Sequence, residues 1–105
     1  MTRLSPADAH ALVSQGGHDL VDVREPHEWS RGRIPGARHV PLRVLALAPN
    51  AHLVDGRPVV FICAHGARSL TAAALAERAG APRAASVDGG TVRWAREGLP
   101  FEGTP

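Results

Sequence analysis

The sequence predicts an α/β fold built on a mainly parallel sheet, and three observations lead there. Short β-branched apolar runs alternate along the chain with alanine- and leucine-rich segments of helical spacing. Pro58 to Ile62 (PVVFI) shows no polar alternation, as expected of a strand covered on both faces. Glycine and proline punctuate nearly every junction between these runs. With 105 residues, no internal repeat and no linker, the chain is expected to be one domain, residues 1–105, with a core at about 5–103.

Ser5-Pro6 opens the first helix, with serine at the N-cap, proline at N1 and Asp8 in the first turn. Gly16-Gly17 ends it. Asp19 to Val23 (DLVDV) is a strand. Pro26, Gly32, Pro35 and Gly36 make Arg24 to Arg38 mostly loop, with a helical turn near Pro26 to Arg31. A brief strand from Ala37 to Val40 stops at Pro41, and Leu42 to Ala48 gives one or two helical turns before Pro49. Cys63 follows the buried strand Pro58 to Ile62. Ser69 to Ala79 is a helix closed by Gly80 and Pro82. Ala84 to Val87 is a strand, and Thr91 to Glu97 a last helix capped by Gly98.

Composition narrows the function. All twelve basic side chains other than histidine are arginines, against ten carboxylates, so the pI of 9.9 accompanies a net charge of only +2. The arginines are scattered and only Trp29, Phe61, Trp94 and Phe101 could stack on bases, which argues against a nucleic-acid partner. No stretch approaches the length of a membrane span, and Met1 to His10 lacks the apolar segment of a signal peptide. A cytoplasmic protein with a reduced thiol is expected. One cysteine excludes an intramolecular disulfide, a dithiol motif and a cysteine-clustered zinc site. His10, His18, His27, His39 and His52 fall in separate elements without ligand spacing and read as surface or capping residues, so no metal is expected.

The chemistry concentrates in Cys63-Ala64-His65-Gly66-Ala67-Arg68-Ser69, between a buried strand and a helix. Such a loop turns successive N–H groups inward, and the helix dipole adds partial positive charge. A sulfur at its rim is favoured as the thiolate, a strong nucleophile. Gly66 permits a positive φ, His65 adds a donor, and Arg68 at a helix start implies an anion nearby. Taken alone, a cysteine ending a buried strand is more often an inert small hydrophobe; the joint spacing of Cys63, Gly66, Arg68 and Ser69 favours function.

Here the sequence resembles the rhodanese-like sulfurtransferases, over nearly its whole length. Asp22-Val23-Arg24-Glu25 with Glu28-Trp29 is similar to the family's DVRE block followed by glutamate and an aromatic residue. Gly32 to Ala37 (GRIPGA) is similar to its GHIPGA turn, with Arg33 for histidine. Cys63 to Ser69 matches C-x-x-G-x-R-S, and Gly89-Gly90, Trp94 and Gly98-Leu99-Pro100 match its C-terminal block. The resemblance implies a five-stranded, mostly parallel sheet flanked by helices, and a persulfide on Cys63. Sulfane sulfur would pass from a small anionic donor such as thiosulfate to cyanide, a thiol or a carrier protein, without a cofactor. Backbone N–H groups from Ala64 to Arg68 would stabilise the sulfur, and Arg68 would help hold the donor. Many members carry arginine directly after the cysteine; Ala64 removes that charge, which should weaken thiosulfate binding.

Asp22, Arg24 and Glu28 are supporting candidates, with structural ion pairing expected of Asp22 and Arg24. Asp88-Gly89-Gly90 could approach the loop from a neighbouring strand end, with Gly89 the supporting candidate, although a tight turn before the last helix also explains the glycines. Trp29 and Trp94 are expected in the core. Two other functions stay open. A phosphatase or arsenate reductase on this fold would use five residues between cysteine and arginine rather than the four present, a difference of roughly 3.5 Å of chain. A non-catalytic binding or sulfur-sensing module is the other: some members of the family this chain resembles lack the cysteine and act so, whereas Cys63 is present here with Gly66, Arg68 and Ser69.

Overall fold

The structure, a computed structural model, describes residues 1–54 and 56–105. Its central sheet has five parallel strands: β1 (Thr2–Leu4), β2 (Asp19–Asp22), β4 (Arg38–His39), β5 (Val59–Ile62) and β6 (Ala85–Val87), in the order β1-β6-β5-β2-β4. The helices are α1 (Pro6–Ser14), α2 (Pro26–Arg31), α3 (Leu42–Leu47), α4 (Pro49–His52), α5 (Ala67–Arg78) and α6 (Gly90–Arg96). A small antiparallel pair, β3 (Gly32–Arg33) with β7 (Glu102–Gly103), ties the C-terminal segment to the end of α2.

The two-residue period of β5 divides the core. Val59, Phe61 and Cys63 pack with Ala72, Ala73 and Ala76 of α5 and Leu45 of α3. Val60 and Ile62 face Ala9 of α1 and Trp94 of α6. Three fully buried alanines let α5 lie close against the sheet. Cys63 is therefore carried to the α5 side, at the C-terminal edge where parallel sheets place ligands.

Local signals held where chain chemistry dictated them. The Ser5 hydroxyl accepts the Asp8 N–H at 3.1 Å, so the expected N-cap is present. Expected strands coincide with β2, β4, β5 and β6 within one or two residues at each end, and α5 begins two residues ahead of Ser69. Four elements were not expected. β1 is largely exposed and carries no apolar pattern; it exists because Thr2, Arg3 and Leu4 pair with Ala85, Ser86 and Val87. α4 starts at Pro49, where a stop was expected, because proline is tolerated at a helix N1. β3 and β7 are two residues each and pair across about two-thirds of the sequence, beyond any local rule.

Trp94 is core, 1% exposed, with its indole N–H donating to the Pro100 carbonyl at 2.8 Å. Trp29 is not. It is half-buried, its ring stacked on His39 at 4.7 Å, with the Arg33 guanidinium 4.9 Å from its centroid. His39 is thereby more than a surface histidine, since its Nε2 also lies 2.8 Å from the Arg24 carbonyl oxygen.

Candidate active site

Cys63 directly follows β5 and is 1% exposed. The chain then turns through Ala64 and His65 into Gly66, whose φ of 111° lies in the left-handed region, and enters α5 at Ala67. This turn brings two backbone donors onto the sulfur. The Gly66 N–H donates to Sγ at 3.1 Å and the Ser69 N–H at 3.3 Å. Of the N–H groups from Ala64 to Arg68, that of Gly66 contacts Sγ directly. The second donor comes from Ser69, one turn into α5, because the helical backbone aims that N–H back along the axis.

The Ser69 hydroxyl lies 3.4 Å from Sγ, 3.1 Å from the Gly66 carbonyl and 2.7 Å from the Ser86 hydroxyl. Cys63, Ser69 and Ser86 are all buried, so these three groups form a desolvated chain leading away from the sulfur. As a thiol, Cys63 donates to Ser69; as a thiolate it accepts from it. Ser86 escapes local sequence reasoning because a serine within a strand carries no signal. The register that sets it beside Phe61, on the α5 side, is the only clue.

Ala64 is buried at the wall of the turn, while His65 and Ala67 are exposed. Gly89 has a φ of 74°, and a Cβ there would run into the Arg93 side chain of α6, 2.7 Å from its Cβ. Gly90 lies tightest against the loop. A Cβ on it would overlap the Cys63 carbonyl and the Ala64 carbonyl, and its φ is 60°. The next two N–H groups, of Thr91 and Val92, donate to the Cys63 and Ala64 carbonyls at 2.8 and 3.2 Å, so α6 buttresses the turn from behind. The expected approach of the Asp88-Gly89-Gly90 segment is therefore present, with the Gly89 nitrogen 3.4 Å from where a Cβ on Gly66 would sit and Gly90 against the carbonyls of residues 63 and 64.

The supporting candidates form two ion pairs. Arg24 and Asp22 are 1% and 0% exposed. Arg24 Nε donates to both Asp22 carboxylate oxygens at 3.0 Å and Nη2 donates to Oδ2 at 2.8 Å and to the Gly32 carbonyl at 2.7 Å. The expected structural pairing is present, and it anchors the far end of α2 to β2. That places Glu28 opposite Arg68, whose Nη1 and Nη2 donate to the two carboxylate oxygens at 2.6 and 3.0 Å. The Arg68 hydrogen bonds lower the Glu28 carboxyl from 4.5 to about 2, and Arg68 is raised in return. The anion anticipated beside Arg68 is thus Glu28, forty residues away in sequence.

Among the described residues no group of three histidine, cysteine, aspartate or glutamate side chains could hold a metal ion, and no helix is long and apolar enough to cross a membrane. A buried sulfur with two N–H donors and a buried hydroxyl can act as a nucleophile and can hold a second sulfur in line with the same donors.

Residues 5–97 match the Rhodanese-like domain family. The chain belongs to that family. It is similar to a sulfurtransferase of Allochromatium vinosum, 38% identical over 82 residues that cover 78% of this chain and 76% of that protein. It is 36% identical over 92 residues to the thiosulfate sulfurtransferase GlpE of Stutzerimonas stutzeri, covering 88% and 83% of the two chains. Among solved structures, a rhodanese-related protein of Thermoplasma volcanium superposes with a TM-score of 0.86 at 29% identity, covering 96% and 97%. A Rhodopseudomonas palustris protein of unknown function, described as a possible tyrosine phosphatase, superposes at 0.84 with 31% identity, covering 97% and 85%. The relatives support sulfur transfer at the level of the rhodanese-like family.

Proposed function

We propose that this chain is a sulfurtransferase that carries sulfane sulfur as a persulfide on Cys63. The observation that supports this reading best is the pair of N–H donors, from Gly66 and Ser69, converging on a buried Sγ. In the first half-reaction the Cys63 thiolate attacks the sulfane sulfur of a donor. A new S–S bond forms, and the donor's bond to that sulfur breaks with its electron pair leaving on the donor. In the second, an external nucleophile such as cyanide, a small thiol or a carrier-protein thiol takes the outer sulfur and the electron pair returns to Cys63. No net redox change occurs within the chain and no cofactor enters. With one cysteine in the sequence, the persulfide has no partner with which to collapse into an intramolecular disulfide.

The buried hydroxyls of Ser69 and Ser86 and the turn from Ala64 to Ala67 would stabilise both sulfur states, and Gly90 with Thr91 would hold the turn in place. The reading places the chain in a reducing, cytoplasmic setting. Phosphate-ester hydrolysis is the weaker alternative, because the four residues between Cys63 and Arg68 give a turn that closes on one sulfur.

Intact-mass spectrometry tests the proposal. Incubation with a sulfane donor should add the mass of one sulfur atom to the chain, cyanide should remove it, and Cys63→Ser should never acquire it. Hydrolysis of an aryl phosphate with no sulfur adduct from any donor would overturn the reading.

A further inference from the structure

We propose a second ligand site, at the opposite end of the sheet from Cys63 and on its other face, that takes a short aliphatic carboxylate. It is independent of the sulfur chemistry above.

A cavity of about 230 Å³ lies between the sheet and α1, walled by Leu4, Leu12, Val60 and Ala85. Strand register explains why it is there. Thr2, Ala85, Val60 and Leu20 form one row across β1, β6, β5 and β2, each at the first or second residue of its strand. Leu20, Val60 and Ala85 pack with Ala9 of α1 and Trp94 of α6, whereas Phe61 and Cys63 pack with α5. Thr2 and Ala85 are small, and α1 reaches this row only with its last turn, which carries Leu12, so the row is left partly uncovered. An apolar cavity of about 150 Å³ admits a benzene ring, so this one has room for a chain of about six carbons.

Two polar side chains in the same cavity define the head group. His18, expected at the surface or at a cap, lines the cavity and is half-buried, and its Nδ1 is buried without a hydrogen-bond partner among the described residues. A carboxylate oxygen satisfies it by accepting from Nδ1–H. Arg83 also lines the cavity. It is exposed and forms no ion pair among the described residues. Among those residues it is also the one position other than glycine with a positive φ, 49°, so a strained backbone presents a cation that the chain itself does not use. No carboxylate lines the cavity, and Asp19, next to His18, is taken by Arg38 at 2.7 Å. A phosphate or sulfate would leave the apolar walls unused, and a neutral hydrocarbon would leave Nδ1 unpaired. A carboxylate on a short hydrocarbon tail uses both.

Hexanoate is the probe. Titrated into the full chain at neutral pH and followed by NMR of the backbone amides, it should bind saturably and at least about tenfold more tightly than hexanol, which lacks the charge, or acetate, which lacks the chain. The amides that shift should be those of Thr2, Leu4, Leu12, His18 and Val60, and not those of Gly66 and Ser69. Arg83→Gly removes the guanidinium and relieves the positive φ, while His18→Phe keeps an aromatic ring and removes its nitrogens. Each should weaken hexanoate about fivefold or more and leave hexanol binding unchanged, with the Gly66 and Ser69 amides at their wild-type positions to show an intact fold. No saturable hexanoate binding, equal binding of hexanol, shifts centred on the Cys63 turn, or an affinity unchanged in both folded variants would overturn the site. None of these results depends on sulfur loading of Cys63.

Discussion

Replacing Arg24 with methionine probes the interaction that fixes the geometry on the α2 side of the site. The substitution keeps an apolar side chain of similar length and removes a guanidinium that is 1% exposed. It strips the Asp22 carboxylate of the Nε and Nη2 donors at 2.8 to 3.0 Å and leaves it only the backbone N–H of residue 24 at 2.9 Å. The Gly32 carbonyl also loses its Nη2 donor. Breaking a buried pair by deleting one partner costs about 3–5 kcal/mol, because the remaining charge is uncompensated. For a domain of this size a 3 kcal/mol loss lowers Tm by about 12 °C or more. Urea unfolding at neutral pH, followed by circular dichroism, measures it. Adding Asp22→Asn to Arg24→Met should restore part of the loss, with a coupling of about 2 kcal/mol. A loss below about 1 kcal/mol, or strict additivity of the two substitutions, would refute the reasoning.

Three further outcomes are expected. Glu28 has its carboxyl lowered to about 2, so the Arg68 pair stabilises the fold fully above the ordinary value of 4.5 and loses that contribution as pH falls through about 2. Acid unfolding should therefore be steeper for the wild type than for Glu28→Gln across that window, by on the order of 1 kcal/mol because Arg68 is partly screened by solvent; parallel curves would contradict it. Gly90→Ala introduces a Cβ that overlaps the Cys63 and Ala64 carbonyls at a φ of 60°, so it should cost about 2 kcal/mol or more and speed alkylation of Cys63 by opening the turn. Unchanged stability and alkylation would show that the turn does not rest on α6. Ser86→Ala removes a buried hydroxyl 2.7 Å from Ser69, which should cost about 1 kcal/mol in urea unfolding; unchanged stability would show that this hydrogen bond does not support the buried chain behind Cys63.

What was legible in the sequence is what short-range chemistry controls. Ser5-Pro6 favours a helix start by capping, the β-branched run PVVFI favours a covered strand, and Gly66 permits the positive φ it adopts. The turn from Cys63 into α5 could be assembled from those signals alone. What was not legible depends on partners distant in the chain. β1 has no apolar pattern of its own and owes its state to β6. Ser86 joins the sulfur's surroundings through sheet register. Arg68 was readable as a cation in need of an anion, but local rules could not say that Glu28 would occupy it. That pairing changes the chemistry most, since a guanidinium expected to receive the donor is already engaged.

As a sulfur carrier, Cys63 must both accept and release one sulfur atom. The most direct measurement is a single turnover of the second half-reaction: load the chain, remove the donor by desalting, add cyanide, and quantify thiocyanate against protein. The account predicts about one thiocyanate per loaded chain, with return to the unmodified mass and no product from Cys63→Ser. Thiocyanate formation that is equal in Cys63→Ser, or a Cys63 adduct that cyanide cannot remove, would contradict it.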